Sequence, residues 1–328
     1  MVGNRGSSYR GIGKSGMVLA ALAAGAMCAL SYFFGNDGRL SGELGICLPS
    51  PNLWEGLPLL SWLVNIAFIG LIAAWAFLLN RHYNFIRSTQ PVLPAVFLIL
   101  TASNPWITGY LSSSTLVCGV NLLCLSILFG CYRQRNATQE MFVIATLISI
   151  GSMVQYAFLP YILAYMAAAI VMKAFRIKEF LAMGMGLVAP YWVGVGMGLI
   201  PLEWFRLPEI TDLFNGFAQK PELFALMLSV GIAAFFGMIL GLNNSIKLYA
   251  GNSRINALNL AINFVGAISV VCIIADFNNM MAYLETLYFA VAAQIANLCA
   301  LWRFRREWIV VLVPGLIYIG FFAFFMLT

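Results

Sequence analysis

Charge is what this sequence has least of. Its 328 residues hold 18 lysines and arginines and 12 aspartates and glutamates; 9% are charged and 62% are hydrophobic. A water-soluble domain carries about 25% charged residues, so a folded chain of this size has too few to face water. This excludes a soluble enzyme, a disordered chain and a disulfide scaffold. An outer-membrane barrel is excluded too, because its strands alternate polar and apolar residues while the apolar runs here are continuous. His82 is the single histidine, which leaves no companions for a histidine-based metal cluster or a Ser-His-Asp triad. The seven cysteines, Cys28, Cys47, Cys118, Cys124, Cys131, Cys272 and Cys299, include no CxxC pair, so no zinc or redox motif is present. There is no P-loop or dinucleotide fingerprint. No cofactor, metal or nucleic-acid partner is implied. No internal repeat stands out, and no polar stretch is long enough for a soluble domain.

What the chain does have is apolar runs near the roughly 20 residues that cross a bilayer. They are Gly16–Phe34, Leu57–Leu79, Val92–Gly109, Ser114–Cys131, Met141–Met153, Tyr156–Met172, Phe180–Ile200, Leu223–Leu242, Ala257–Ala275, Thr286–Trp302 and Val310–Leu327. With the N-terminus in the cytoplasm, every basic residue except Arg39, Arg206 and Lys220 falls in an inside segment, as the positive-inside rule requires. The expected fold is therefore all-α, a polytopic transmembrane helix bundle of about 11 spans. Residues 1–328 form a single integral membrane domain, with the N-terminus inside and the C-terminus outside. The location expected is a bacterial inner membrane, with membrane lipid as partner.

Two runs are irregular. Met141–Met172 is uncharged and has basic residues on both flanks; with both flanks cytoplasmic it turns near Gln155 and Pro160, as two short helices or as a re-entrant pair buried in protein. Asn104-Pro105 interrupts the outer part of Val92–Gly109. The first run follows Arg5, Arg10 and Lys14 as a signal peptide would, but its removal would upset the alternation of charged loops, so an uncleaved first helix is expected.

No run carries an ionisable residue near its centre, with Asp276 and Glu285 counted as outside. That speaks against a proton-coupled transporter. Neutral polar groups do recur within the runs. Asn256, Asn259 and Asn263 share one helix face by spacing, Gln294 and Asn297 form a second pair, and interhelical hydrogen bonding is the expected role. Gly194/Gly198 and Gly237/Gly241 each make a GxxxG, a spacing that lets helices approach closely. A membrane-protein partner on the Gly194/Gly198 face is the alternative to packing within the chain.

The outer loops Gly35–Gly56 and Pro201–Glu222 concentrate the remaining charge. Asp37 and Glu43 flank Arg39 in the first, and the second carries Arg206 among acidic and aromatic residues. A carboxylate beside an arginine can serve as a general base next to a phosphate clamp. Asp37 and Glu43 are accordingly the candidate catalytic residues, and Arg39 and Arg206 the candidate substrate-binding residues.

Several landmarks of Val92–Ile200 occur in a familiar order: Asn104-Pro105, Asn121, Arg133 with Arg135, the hairpin Gln155-Tyr156-Ala157-Phe158-Leu159-Pro160, Lys178-Glu179-Phe180 and Ala189-Pro190-Tyr191. On these the chain resembles a family of bacterial polytopic inner-membrane proteins with no assigned activity. The same stretch resembles the membrane core of C-type glycosyltransferases, which take a sugar from a polyprenyl-phosphate carrier on the outer side. That resemblance implies a polyprenyl-phosphate-linked substrate and an acidic catalytic residue in the first outer loop, where Asp37 and Glu43 stand. Two other classes stay open: a non-catalytic scaffold or assembly subunit of an envelope complex, and a transporter.

Overall fold

A computed structural model describes residues 14–34, 46, 57–87, 91–201, 203, 205, 221–249, 252–302 and 307–327. These residues form α-helices joined by short turns, with no strand among the described residues. In chain order the helices are α1 (Lys14–Phe34), α2 (Pro58–Tyr83), α3 (Val92–Ala102), α4 (Pro105–Thr108), α5 (Ser113–Gly130), α6 (Thr138–Val154), α7 (Tyr161–Val171), α8 (Ile177–Gly196), α9 (Pro221–Tyr249), α10 (Ser253–Ala275), α11 (Met280–Trp302) and α12 (Glu307–Leu327). By length and composition, six are able to cross a membrane: α1, α2, α5, α9, α10 and α11. Their outer faces carry Leu19, Leu71, Ile246 and Ile274 in the open, a surface that suits lipid and not water.

The boundaries follow local chemistry. Pro58 and Pro105 sit at the first helical positions of α2 and α4, where the missing N–H has no intrahelical partner to lose. Asn252 caps α10, its Oδ1 accepting from the N–H groups of Arg254 at 3.0 Å and Ile255 at 3.3 Å. The 141–172 run is two helices, as its flanks demand. α6 ends at Val154, Gln155 is extended, a short 3-10 turn follows, and Pro160 precedes α7. Gln155 is buried in this turn and donates to Asn279 Oδ1 at 2.9 Å, tying the α6–α7 turn to the α10–α11 turn.

The basic loops gather at the opposite end. Arg133 N–H donates to Met172 O at 3.0 Å, and Tyr132 Oη lies 3.1 Å from Ser253 Oγ. The α5–α6, α7–α8 and α9–α10 connections therefore share one end of the bundle.

At the centre stands α11, packed against α3, α5, α9, α10 and α12. Its residues 282–297 are buried without interruption, as expected of a helix that is apolar nearly all round. α1 is built into the bundle against α3 and α12, and Trp62 Nε1 donates to Cys28 O at 3.2 Å. α6 and α8 form the most extensive pairing. It is possible because Gly186 has no side chain: a Cβ there would stand 2.5 Å from Phe142 O and 2.9 Å from Ala145 Cβ.

Two expectations need correction. Glu285 is not in an outer loop. α11 begins at Met280, six residues before the expected start, and carries Glu285 into the bundle, wholly buried. Gly194 and Gly198 do not form an interhelical groove. α8 ends between them, Leu199 and Ile200 N–H both donate to Gly194 O, and Gly198 adopts φ +68. They make a helix cap of the Schellman kind, in which glycine supplies the left-handed residue. Gly237 and Gly241 do meet neighbouring helices, at Val291 Cγ2 of α11 and Asn263 Oδ1 of α10.

Candidate functional site

Between Ala102 and Ser113 the chain leaves helical geometry twice inside the bundle. The cause is local. A residue before proline is driven out of the α region. Asn104 is accordingly extended, and its Oδ1 accepts from Trp106 N–H at 3.1 Å to start α4. Irregular backbone at membrane depth must find its hydrogen bonds in neighbouring protein. Here α1 and α2 supply them. Asn65 Nδ2 donates to Ile107 O at 2.7 Å, Leu111 N–H donates to Ser61 Oγ at 2.9 Å, and Ser31 Oγ donates to Pro105 O at 3.2 Å. Four hydroxyl residues in a row, Ser112 to Thr115, then open α5, all buried.

Glu285 lies against this opening. Its backbone N–H reaches Ser114 Oγ at 3.1 Å. Its side chain is 0% exposed, and among the described residues neither carboxyl oxygen has a hydrogen-bond partner. The Thr115 hydroxyl is beside it, but donates to Asn65 Oδ1 at 2.7 Å instead. Cys118, one turn along α5, and Thr286 complete the surroundings. On the far side, Asn121 Nδ2 donates to Thr286 Oγ1 at 3.4 Å and Tyr165 Oη donates to Asn121 Oδ1 at 2.9 Å. The result is a polar seam through α2, α5, α7 and α11, with an unmatched carboxyl group at one end. An ionisable group inside a membrane bundle is costly and marks a functional position.

A lateral groove reaches the same seam. It lies between α2 and α5 and has a volume of about 170 Å³. Ile72 and Gly119 form its floor, Phe68, Leu71, Trp75 and Leu123 its half-exposed rims, and Thr115 its polar end. At the other end Trp75 Nε1 donates to Ser126 Oγ at 2.9 Å. The groove is thus apolar along its length, open on the outside of the bundle, and polar only where Thr115 meets Asn65 and Glu285.

A second polar cluster joins α9, α10 and α11. Asn259 Oδ1 accepts from Gln294 Nε2 and Asn297 Nδ2, both at 2.9 Å, and Asn259 Nδ2 donates to Ser245 Oγ at 3.1 Å. Asn263 Nδ2 donates to Ser245 Oγ at 3.0 Å and Gly241 O at 3.1 Å, and Asn244 Nδ2 donates to Gln294 Oε1 at 3.0 Å. Here Asn259 and Asn263 of the first amide set meet Gln294 and Asn297 of the second and hold helices together, while Asn256 Oδ1 is buried with no partner among the described residues.

Asp37, Arg39, Glu43 and Arg206 lie outside the described residues. Gly194 and Gly198 are described and serve the α8 cap. Among the described residues no three His, Cys, Asp or Glu side chains cluster as metal ligands would, and Cys28, Cys118, Cys124, Cys131, Cys272 and Cys299 are buried and in no disulfide. Sequence reasoning missed Glu285 because the hydropathy of Thr286–Trp302 was sufficient for a span. The available signal was that Met280–Leu284, ahead of the glutamate, is itself nearly all apolar. Comparison of the chain with family models, curated proteins and solved structures gives no match.

Proposed function

We propose that this protein handles lipid-linked sugars on the outer side of a bacterial inner membrane, as the resemblance to C-type glycosyltransferases implies. The observation that carries the reading is the lateral groove between α2 and α5, apolar along its walls and polar at Thr115. A substrate with an isoprenoid tail and a polar head needs that arrangement and enters sideways from the bilayer. A soluble substrate needs neither. In this reading the chain crosses the membrane 11 times with its N-terminus inside. The gathering of the α5–α6, α7–α8 and α9–α10 loops at one end supports this orientation, since Arg133, Arg135, Lys173 and Arg176 lie in those loops and Lys178 and Arg254 in the first turns of α8 and α10. Ser112–Thr115 then stand near the outer boundary, because α5 is 18 residues long, about 27 Å. Asp37 or Glu43 acts as general base on the acceptor hydroxyl, and Arg39 and Arg206 hold donor phosphate.

The test is the envelope glycan profile of a deletion strain complemented in turn with wild type, Gly119→Phe, Asp37→Asn and Glu43→Gln. A Cβ at Gly119 stands 3.8 Å from Ile72 Cδ1, so the phenylalanine ring projects into the groove. Deletion should change the glycans, and Gly119→Phe should fail to restore them. Loss of a general base typically lowers rate about 10²–10⁴-fold, so one of the two carboxylate variants should fail as well. Unchanged glycans on deletion would remove the proposal.

A second reading, a transporter, is favoured by one observation, the buried Glu285. A bundle interior free of ionisable groups would speak against proton coupling, and Glu285 occupies that interior.

A further inference from the structure

We infer that Glu285 and Thr115 form a binding site for a small monovalent cation, a proton or Na⁺. A threonine hydroxyl has one proton to give and two lone pairs to offer. Thr115 gives its proton to Asn65 Oδ1 at 2.7 Å, and Asn65 Nδ2 gives one to Ile107 O at 2.7 Å. The donors of this chain all run away from Glu285. With its one proton given to Asn65, Thr115 has only lone pairs left for the carboxyl group beside it, and among the described residues neither carboxyl oxygen has a donor. Acceptor thus faces acceptor at a wholly buried position, an arrangement that is unfavourable in a low-dielectric interior.

A cation placed between Glu285 and the Thr115 oxygen resolves the conflict. A proton on the carboxyl group donates to Thr115 Oγ1, and the chain then runs in one direction from Glu285 through Thr115 and Asn65 to Ile107 O in α4. Na⁺ uses the same oxygens as ligands. Among the described residues no lysine or arginine lies against Glu285. The elements packed against α11 contribute Cys118 and Cys124 from α5, Cys272 from α10 and Tyr318 from α12. None of these carries positive charge. Asp276, before α11, accepts from Tyr283 Oη at 3.1 Å. Lys247 ends α9 and Arg254 begins α10, both at the end of the bundle where the basic loops gather.

The site biases the irregular segment between α3 and α5, because its hydrogen-bond chain ends on the Ile107 carbonyl. It stands whether or not the substrate is a lipid-linked sugar, and its test uses no sugar. The full chain is placed in nanodiscs, and thermal unfolding is followed in NaCl or choline chloride at several values between about pH 6 and about pH 8. A folded state that binds the cation better than the unfolded one is stabilised as the cation increases. A rise in midpoint with Na⁺ at fixed pH identifies sodium. A rise on lowering pH, indifferent to Na⁺, identifies the proton. Glu285→Gln has its own amide donor for Thr115 Oγ1, so it should fold and lose the response. Thr115→Val keeps the carboxyl group but removes its oxygen partner, and should weaken the apparent affinity about tenfold, as loss of a supporting group does at ion sites. A wild type that responds to neither cation overturns the inference, as does a Glu285→Gln protein that responds like wild type. If Glu285→Gln does not fold, an unshifted response in Thr115→Val overturns it.

Discussion

Single positions decide this bundle where a side chain is missing or a donor is missing. Gly186 shows the first case. A methyl group there would meet Phe142 O at 2.5 Å, backbone that cannot swing away, so Gly186→Ala should destabilise by about 1–3 kcal/mol. Gly184, two residues earlier on α8, has open space at the same point, and Gly184→Ala should be neutral or slightly stabilising. Reversible unfolding of the two variants in mixed micelles checks the contrast, and equal effects would contradict the α6–α8 geometry. Gly198 makes a further case. At φ +68, alanine should cost about 1 kcal/mol. Lys173 holds a similar left-handed position, φ 59, after α7, so Lys173→Gly should stabilise by a similar amount. Little of this was legible in the sequence. GxxxG spacing pointed equally to Gly194/Gly198 and Gly237/Gly241, yet the first pair caps a helix and the second meets α11 and α10. Spacing says that a close approach is permitted; where the helix ends says whether a neighbour is there.

At the scale of helices the sequence was far more informative. The 11 apolar runs are helical over most of their length, with Val92–Gly109 broken at Ser103-Asn104, and the division of Met141–Met172 into two helices followed from charge on its flanks. The reason is physical: a run of apolar residues must bury its backbone hydrogen bonds within itself, so hydropathy alone sets the element. Polar content is less simply read. The Asn259 face and the Gln294/Asn297 pair were visible as separate patterns, but their meeting was not, because no local rule says which helix lies opposite. Asn259 makes three of the bonds in that cluster. At about 0.6 kcal/mol for each bond in a membrane, Asn259→Ala should destabilise by about 2 kcal/mol. A double-mutant cycle with Gln294→Ala should show coupling, and simple additivity would mean that the cluster is incidental. Glu285 was hidden for a related reason. A helix facing protein on every side can carry a carboxyl group that a lipid-facing helix cannot, and hydropathy does not distinguish the two.

At the scale of the whole molecule, orientation and substrate are coupled. If the basic loops are cytoplasmic, the end holding Gln155, Asn279 and the opening of α5 is outside, where a lipid-linked donor is presented. An alkaline phosphatase fusion at Asn279 should then be active and one at Arg135 inactive, and the reverse pattern would invert the site. The lateral groove is the feature that ties orientation to substrate, so the most direct measurement is made there. A photo-crosslinking amino acid placed at Leu71, on the groove rim, and at Ile246, on the exposed face of α9, can be illuminated in native membranes and the attached lipids identified by mass. The account predicts polyprenyl phosphate, or its sugar-loaded form, enriched at position 71 over position 246, and lost when Gly119→Phe fills the groove. The same bulk phospholipids at both positions, with no polyprenyl species and no effect of Gly119→Phe, would contradict it.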